Sequence, residues 1–251
     1  MTLANQTIAP NIAQKKFFRT KYAIRTFLGD YPELFFPANS LTKGKRWAVN
    51  RNTELVIEGF QRSGNTFSVG AFNAAQPQKV NVASHLHVPA QIVYAARMNI
   101  PALVVIRYPV DSVLSWKALE LESSLKLQHT ALDYSFEQLF SHYIRFYTKI
   151  FPYQDQFVVA SFEEVTRNFG EVIAKLNQNF NTSFSLFDHT KENVEKVFES
   201  QNFHAGVSVS RQELKKTVKQ RYEDKLSSAR FKSLVSQSEK VYQRFKQLSQ
   251  Q

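Results

Sequence analysis

Four short apolar runs, separated by stretches of helical character, constrain the fold of this 251-residue chain more than any other feature. Each run is long enough for one buried strand and too short for a typical buried helix. The runs cover residues 55–60, 80–84, 103–107 and 157–161. Strands that alternate with helices predict βαβ units, so we expect a three-layer α/β fold with a central parallel sheet of about four or five strands.

The stretches between and after these runs predict the helices. Pro109 at a first helical position and Asp111 in the first turn indicate where one of them begins. The expected helices cover residues 15–29, 66–75, 109–127, 136–151, 164–179 and 190–201, with further pieces over 211–249.

The remaining segments are expected to complete one domain over residues 1–251. Residues 1–14 have the character of a loose tail. Residues 30–52 contain prolines and a glycine, which predicts loop structure. We therefore expect an α/β core over residues 55–180 and a mainly helical part over residues 190–251.

The distribution of charge favours anionic ligands. The formal net charge is +11. Residues 15–51 hold nine Lys/Arg against two acids, and residues 211–251 hold eleven against four. Nucleotides, acidic glycans, nucleic acid or anionic lipid would suit such a surface, although solvated helix faces would have the same composition. No RNA- or DNA-binding motif is visible, so we expect no nucleic-acid partner.

The absence of cysteine excludes a disulfide framework and a metal site with cysteine ligands. The first 14 residues lack the charged and apolar regions of a signal peptide. No apolar run approaches the roughly 18 residues of a membrane span. We therefore expect a soluble, cytoplasmic protein.

Two glycines and a cation follow the first predicted strand. Gly59 and Gly64 have the spacing GxxxxG, with Arg62 between them, at a strand-to-helix junction. Successive backbone N–H groups and a helix N-terminus at such a junction can hold a phosphate. A Walker A loop would need lysine where Asn65 stands, so the pattern predicts an anion site but opposes ordinary ATP or GTP hydrolysis. An ordinary strand-to-helix turn is the alternative.

A second cation stands at the end of the third predicted strand. Arg107 ends that strand, and Ser115 lies eight residues further on, about two turns into a helix. Because helical side chains lean toward the helix N-terminus, both side chains could contact one phosphate. The alternative is an ion pair between Arg107 and Asp111, with Ser115 as a packing residue.

Both motifs resemble those of the sulfotransferase family. Residues 60–67, Phe-Gln-Arg-Ser-Gly-Asn-Thr-Phe, are similar to the family's 5′-phosphosulfate loop, whose common form is Tyr-Pro-Lys-Ser-Gly-Thr-Thr-Trp. The positions that match outright are Ser63, Gly64 and Thr66. Arg62 falls on the donor-binding lysine, and Phe67 falls on the aromatic residue that stacks on adenine. Arg107 and Ser115 resemble the family's 3′-phosphate motif.

The resemblance covers about residues 55–180 and implies a fold of the P-loop NTPase type. It implies 3′-phosphoadenosine-5′-phosphosulfate as donor, adenosine 3′,5′-bisphosphate as product, no metal, and a glycan or small hydroxylated molecule as acceptor. The residues implied in donor binding are Gln61, Arg62, Ser63, Gly64, Asn65, Thr66, Phe67, Arg107, Ser115 and Phe162. Phe162 replaces a family tyrosine that contacts adenine, and it could line the purine or pack in the core. Arg62 would also act in catalysis, by neutralising charge on the leaving phosphate.

The resemblance further implies a catalytic base at the end of the second predicted strand. His85 falls on the family's catalytic histidine, although Ala83 replaces a lysine of that motif. A neutral imidazole near pH 7 can take a proton from an acceptor hydroxyl. His87 is an alternative base, and so are Glu120 and Glu122, because some members of the family use glutamate.

Other features leave alternatives open. The family's C-terminal segment that closes over the 3′-phosphate is not evident, and its substitute would be Ser210 with Arg211, or Lys215 with Lys216. A P-loop-like kinase or nucleotide hydrolase is one alternative function. A non-catalytic module that binds polyanions through the basic ends is another. The sequence identifies neither the acceptor nor the oligomeric state.

Overall fold

The computed structural model describes residues 12–127, 134–200 and 209–250. Four parallel strands form one sheet in the order β2-β1-β3-β4. The strands are β1 Leu55–Glu58, β2 Val82–Ser84, β3 Ala102–Ile106 and β4 Val158–Ser161. Each connection between consecutive strands contains a helix, as parallel pairing requires. The predicted α/β fold, with a parallel sheet flanked by helices and a helical C-terminal part, is confirmed.

Helices occupy most of the remaining described residues. They are α1 Ile12–Leu28, α2 Pro32–Ser40, α3 Asn65–Ala75, α4 Pro89–Arg97, α5 Pro109–Leu127, α6 Phe136–Ile150, α7 Phe162–Arg167, α8 Phe169–Phe180, α9 Lys191–Ser200, α10 Val209–Lys225 and α11 Ala229–Ser249. Two 3₁₀ segments, Lys43–Trp47 and Phe151–Gln156, join them. None of the helices, over the ranges described, combines the length and apolar character needed to cross a bilayer.

The strands are buried because helices cover both faces of the sheet. On one face, Val56 packs with aromatic residues of α6 and α11 that include Tyr143 and Phe245. On the other face, Ile57 packs with residues of α3, α8 and α9 that include Phe72. Successive side chains of a strand point to opposite faces, so β1 and β3 contribute to both halves of the core. This burial explains why the strands read as continuous apolar runs.

Two short helices were not predicted. The segment expected to be loop contains α2, which begins with Pro32 and holds Pro37 inside it. The connection between β2 and β3 contains α4, which begins with Pro89. A proline at the first helical position loses no hydrogen bond, since the N–H it lacks would have no intrahelical acceptor. The prolines were therefore weaker evidence for loop than their number suggested.

The strand order creates a crevice between β1 and β3. From β1 the chain crosses to β2 on one side and then returns to β3 on the other side of β1. At such a switch point, ligands bind beyond the carboxyl ends of the strands, where the two outgoing connections separate. The loops that begin at Gly59 and Arg107 leave the sheet at this crevice.

Candidate functional site

The loop from β1 to α3 approaches β3 so closely that glycine is needed at its start. A Cβ on Gly59 would lie 2.1 Å from the carbonyl oxygen of Val105. Gly64 has φ +104°, which favours glycine, and it forms the N-cap of α3 without a side-chain hydrogen bond to the helix. The first N–H groups of a helix have no intrahelical acceptor, so this end of α3 can receive an anion.

Buried side chains fix the loop between β1 and α3 through hydrogen bonds. The Asn65 amide donates to the carbonyl of Phe60 at 3.0 Å, and the Gln61 amide donates to the hydroxyl of Tyr22 at 3.0 Å. The Tyr147 hydroxyl accepts from the N–H of Phe60 at 3.2 Å and donates to the carbonyl of Val105 at 2.8 Å. Gln61 and Asn65 are therefore structural through their side chains, and their backbones are the parts left for a ligand.

The two predicted anion sites contact each other. Arg62 has φ +66°, a conformation that is uncommon outside glycine. Its Nε donates to the Ser115 Oγ at 3.1 Å, across from α5. Arg107 Nη1 donates to the carbonyl of Arg62 at 3.0 Å. The β1 loop, the end of β3 and the second turn of α5 therefore meet at one point of the crevice.

Arg107 is a half-buried cation that forms no ion pair with the described residues. No carboxylate in the described ranges lies within ion-pair distance of its guanidinium, which stands 4.0 Å from the ring of Phe162. The alternative, an ion pair between Arg107 and Asp111, is therefore not formed. Burial lowers the pKa of Arg107, and the charges of Asp111 and Glu163 oppose that effect. Since a buried charge is costly without a partner, this arrangement suits an anionic ligand.

The loop after β2 brings a histidine to the start of α3. His85 has φ +61°. Its Nδ1 lies 2.7 Å from the Ser84 hydroxyl, and its Nε2 lies 3.3 Å from the Thr66 hydroxyl. Burial lowers the pKa of His85, the charge of His87 lowers it further, and Glu58 opposes both. The imidazole is thus neutral at pH 7 and borders the N-terminus that could hold an anion.

Glu58, which we did not predict as a site residue, organises this loop. It is fully buried at the end of β1 and accepts from the N–H groups of Leu86 at 2.7 Å and His87 at 3.1 Å. The Gln91 amide donates to it at 3.1 Å. Burial acts to raise the pKa of Glu58, but the hydrogen bond and charge of His87 outweigh it, so the pKa is lowered. A glutamate inside an apolar run was the available signal.

His87 is fixed by backbone contacts. It has φ +52°, and its Nδ1 lies 2.8 Å from the carbonyl of Gly59 and 3.4 Å from Glu58. A carbonyl can only accept, so Nδ1 carries a proton, and Nε2 is the nitrogen that is not bonded to Gly59. No hydrogen bond to that Nε2 occurs within the described part of the chain.

A buried chain of hydrogen bonds through Tyr22 and His142, which sequence reasoning missed, connects the loop after β1 with the loop after β2. His142 Nε2 donates to the carbonyl of His87 at 3.1 Å. The Tyr22 hydroxyl contacts His142 Nδ1 at 2.5 Å and also accepts from Gln61. Burial, helped by the charge of Arg25, lowers the pKa of His142 to about 3. Tyr22 and His142 belong to no recognisable motif. The packing of α1 against α6 brings them together, and no local sequence pattern predicts that contact.

The other predicted residues have mixed positions. Ser63 is fully buried, and the ring of Phe67 is enclosed by an aromatic cluster that includes Phe169 and Phe187. Little of the Phe67 ring is left to stack on a purine. Phe162, by contrast, is half-buried and in contact with Arg107.

The carboxylates considered as bases are buried in α5. Glu120 lies 2.5 Å from the ammonium of Lys117 and accepts from the indole of Trp116 at 3.1 Å. Burial raises the pKa of Glu120 to about 7 against the opposing charge of Lys117. Glu122 is buried nearby.

Four C-terminal residues, at positions 210, 211, 215 and 216, were the predicted candidates for closing over the 3′-phosphate. The side chains of residues 210 and 211 lie outside the described ones. Lys215 and Lys216 stand on α10, which packs against α5.

No group of three His, Asp or Glu side chains converges to hold a metal ion within the described ranges. No family model, curated protein or solved structure matches this chain. The features that indicate a function are therefore the loop over residues 60–67, the Arg107 and Ser115 pair, and the geometry of the crevice.

Proposed function

We propose that this chain is a sulfotransferase that moves a sulfuryl group from 3′-phosphoadenosine-5′-phosphosulfate to a hydroxyl or amine of an acceptor. The observation that carries the proposal is the contact between the two predicted anion sites. Arg107 donates to the carbonyl of Arg62, and the Arg62 side chain donates to Ser115. A donor with phosphates on both sides of its ribose requires two neighbouring cationic sites, and this crevice offers them.

The N-terminus of α3 would hold the 5′-phosphosulfate. Gly64 leaves the helix end without a side-chain cap, so the N–H groups of Asn65, Thr66 and Phe67 are available to phosphate oxygens. Arg62 would add a positive charge beside the bridging oxygen. Although Arg62 replaces the lysine of the family's loop, a planar guanidinium can still neutralise the charge, with a different hydrogen-bond geometry.

Arg107 and Ser115 would hold the 3′-phosphate, and Phe162 would border the adenine. A bound phosphate would supply the counter-ion that Arg107 lacks among the described residues. Charge-assisted hydrogen bonds between a guanidinium and a phosphate are among the strongest polar contacts in proteins. This site would therefore separate a 3′,5′-bisphosphorylated donor from ATP.

Transfer would proceed in line. The acceptor oxygen or nitrogen attacks sulfur as the bond from sulfur to the bridging phosphate oxygen breaks, and a base takes the acceptor's proton. Adenosine 3′,5′-bisphosphate leaves with the additional negative charge on its 5′-phosphate, which Arg62 and the α3 N–H groups would stabilise. Positioning and fixed positive charge would thus supply much of the rate enhancement.

We assign the base to His85. Its Nε2 lies 3.3 Å from the hydroxyl of Thr66, in the first turn of α3, and that turn would hold the group to be transferred. Its lowered pKa keeps the ring neutral and able to accept a proton at pH 7. His87 is the alternative because its Nδ1–H is already directed to Gly59, which leaves Nε2 as the proton acceptor. The two assignments differ in which variant loses turnover.

A matched pair of nucleotides tests the proposal without knowledge of the acceptor. Adenosine 3′,5′-bisphosphate and adenosine 5′-monophosphate differ only in the 3′-phosphate. We expect the bisphosphate to bind on the order of 10–100-fold more tightly, since a charge-assisted contact contributes about 1.5–3 kcal/mol. Isothermal titration calorimetry of both ligands measures the difference.

Two variants make this test specific. Arg107→Ala should abolish the preference for the bisphosphate. Arg221→Ala, which removes the same charge from an exposed position on α10, should leave it unchanged. Equal affinity of the unaltered protein for both nucleotides would contradict the proposal. Preferential binding and turnover of ATP with Mg²⁺ would instead support a nucleotide hydrolase.

A further inference from the structure

Helix α1 has an exposed apolar face in addition to the face that packs on the domain. Phe17, Ile24 and Phe27 are exposed by 62%, 56% and 51%. At about 100° per residue these three positions lie within an arc of roughly 80° on the helix. The opposite face carries Tyr22 and Thr26, which are buried.

The apolar face continues beyond the end of α1. The rings of Phe27 and Tyr31 are in contact, with centroids 5.8 Å apart, and Tyr31 is itself exposed. Leu34, in the first turn of α2, is also exposed. Single exposed apolar residues are ordinary, but a row of aromatic and aliphatic side chains on one helix face marks an interaction surface.

The charges around this face are positive. Lys16 and Lys21 are exposed on α1 on either side of the apolar arc. The ammonium of Lys149 lies 5.0 Å from the ring of Tyr31, and the guanidinium of Arg145 lies 5.4 Å from the ring of Phe27. The surface thus combines exposed rings with cations at its margins.

The two acids of this region are already neutralised. Asp30 accepts from Arg145 at 2.5 Å and lies 3.8 Å from the ammonium of Lys149. Glu33 is paired with Arg97. Residues 12–51 contain no other acid, so this segment has a net positive charge and both of its carboxylates are paired.

We propose that the outer face of α1, defined by Phe17, Ile24, Phe27, Tyr31 and Leu34, docks onto an anionic phospholipid surface. A bilayer interface offers acyl chains for the exposed rings and phosphate groups for the lysines at the same time. A second copy of the chain, joined through this face, would bring two cationic surfaces together. A polyanion such as a glycan would pair with the lysines but would leave the apolar row exposed to water.

Docking would also orient the crevice. The inner face of α1 contacts the candidate site, because Tyr22 accepts from Gln61 and the Arg25 guanidinium donates to the carbonyl of Leu86 at 2.6 Å. A chain that lies on the interface through one side of α1 therefore holds the β1 loop one helix diameter from the lipid. If the proposed function is correct, an acceptor carried by a lipid fits this arrangement, but the docking inference does not depend on it.

Vesicle flotation tests the inference with the full chain. We expect the protein to float with vesicles of phosphatidylcholine mixed with phosphatidylserine, at least about tenfold more than with phosphatidylcholine alone, because each lysine near an anionic surface contributes about a factor of five. The double variant Phe17→Glu, Ile24→Glu should lose most of this binding. The control Leu186→Glu alters an equally exposed apolar residue outside α1 and should bind as the unaltered protein does.

Three results would overturn the inference. One is equal flotation of the double variant and the control, which would mean attraction by charge alone. Another is absence of flotation together with a concentration-dependent dimer that the double variant abolishes, which would identify a second copy as the occupant. The third is absence of flotation without a dimer. Far-UV circular dichroism of the same samples checks that the variants are folded. Failure of the unaltered protein to bind adenosine 3′,5′-bisphosphate would concern the proposed function alone.

Discussion

The loops that follow β1 and β3 use charge differently from the loop that follows β2, although all three lie at the same edge of the sheet. In the first two, Arg62 and Arg107 contact oxygen atoms of a hydroxyl and a carbonyl, and no carboxylate of the described ranges lies within ion-pair distance of Arg107. In the third, the loop's N–H groups and His87 are bound by a carboxylate from outside it, that of Glu58, which is fully buried at the end of β1.

This difference separates binding from positioning. A half-buried arginine without a counter-ion is suited to a ligand that brings negative charge. A buried carboxylate whose oxygens are already hydrogen-bonded has little left to offer a ligand, but it orders the loop around it. The β2 loop needs that order because His85 and His87 both have left-handed backbone conformations. Such residues are costly and persist where the surroundings hold them.

The largest expected effect comes from removing His85, the proposed base in the β2 loop. His85→Ala should lower turnover by about 10²–10⁴-fold and change the affinity for adenosine 3′,5′-bisphosphate little, because the base acts on the acceptor. The release of labelled sulfate from the donor, with water or a screened acceptor, measures turnover. His87→Ala is the matched variant. A large loss of turnover in His87→Ala with a small loss in His85→Ala would transfer the role to His87.

The pH dependence sharpens the same test. Burial lowers the pKa of His85 below its ordinary value of about 6.5. A base acts in its neutral form, so kcat/KM should rise with pH through this lowered pKa, with the midpoint of the acidic limb below about pH 6.5. An acidic limb centred above that pH would contradict the assignment of His85.

Glu58→Gln should destabilise the β2 loop while sparing the anion sites. The amide keeps one acceptor oxygen and replaces the other with an NH2 group, so the N–H of either Leu86 or His87 would face a donor, which costs about 2 kcal/mol of unfolding free energy. Urea denaturation measures this loss. Glu195→Gln, at an exposed position of α9, should leave the unfolding midpoint unchanged. A loss of nucleotide-binding free energy larger than the loss of unfolding free energy in Glu58→Gln would mean that Glu58 acts in binding and not only in positioning.

His142 should make the stability of the chain depend on pH. Its pKa is about 3 in the folded chain and about 6.5 when unfolded, so the unfolded chain binds the extra proton between these values. The stabilisation is therefore lost as pH falls below about 6.5, and it amounts to about 1 kcal/mol between pH 6 and pH 5. Urea denaturation at both pH values should show a smaller difference for His142→Gln. An identical difference in both proteins would exclude this role.

The smallest effect is expected at the α5 end of the anion sites. Ser115→Ala removes one neutral hydrogen-bond partner of Arg62 and of the 3′-phosphate, so nucleotide affinity should fall about two- to tenfold. Ser236→Ala, on α11, is the control. A loss as large as that of Arg107→Ala would mean that Ser115, rather than the arginine, determines affinity, which would reverse the emphasis on charge.

Much of the fold and part of the site could be predicted because local patterns determine them. The strands, the glycines of the β1 loop, and the cations Arg62 and Arg107 follow from apolar runs and their ends. Helix α4 was missed because its nine residues are too few to establish a helical periodicity, which needs a window of about 11–18 residues. Glu58 was missed because a carboxylate within an apolar run says nothing of its partners.

By itself, the sequence determined the parallel α/β class and the order of the motifs, since both depend on short-range periodicity and on residues at strand ends. Only the tertiary structure decided that β1 and β3 are neighbours, which joins Arg62 to Arg107 across 45 positions of chain. It also decided which charges are neutralised. Burial and long-range hydrogen bonds confine Glu58 and His142 to positioning, and they leave Arg107 available for an anion, because these interactions depend on distances that no local pattern contains.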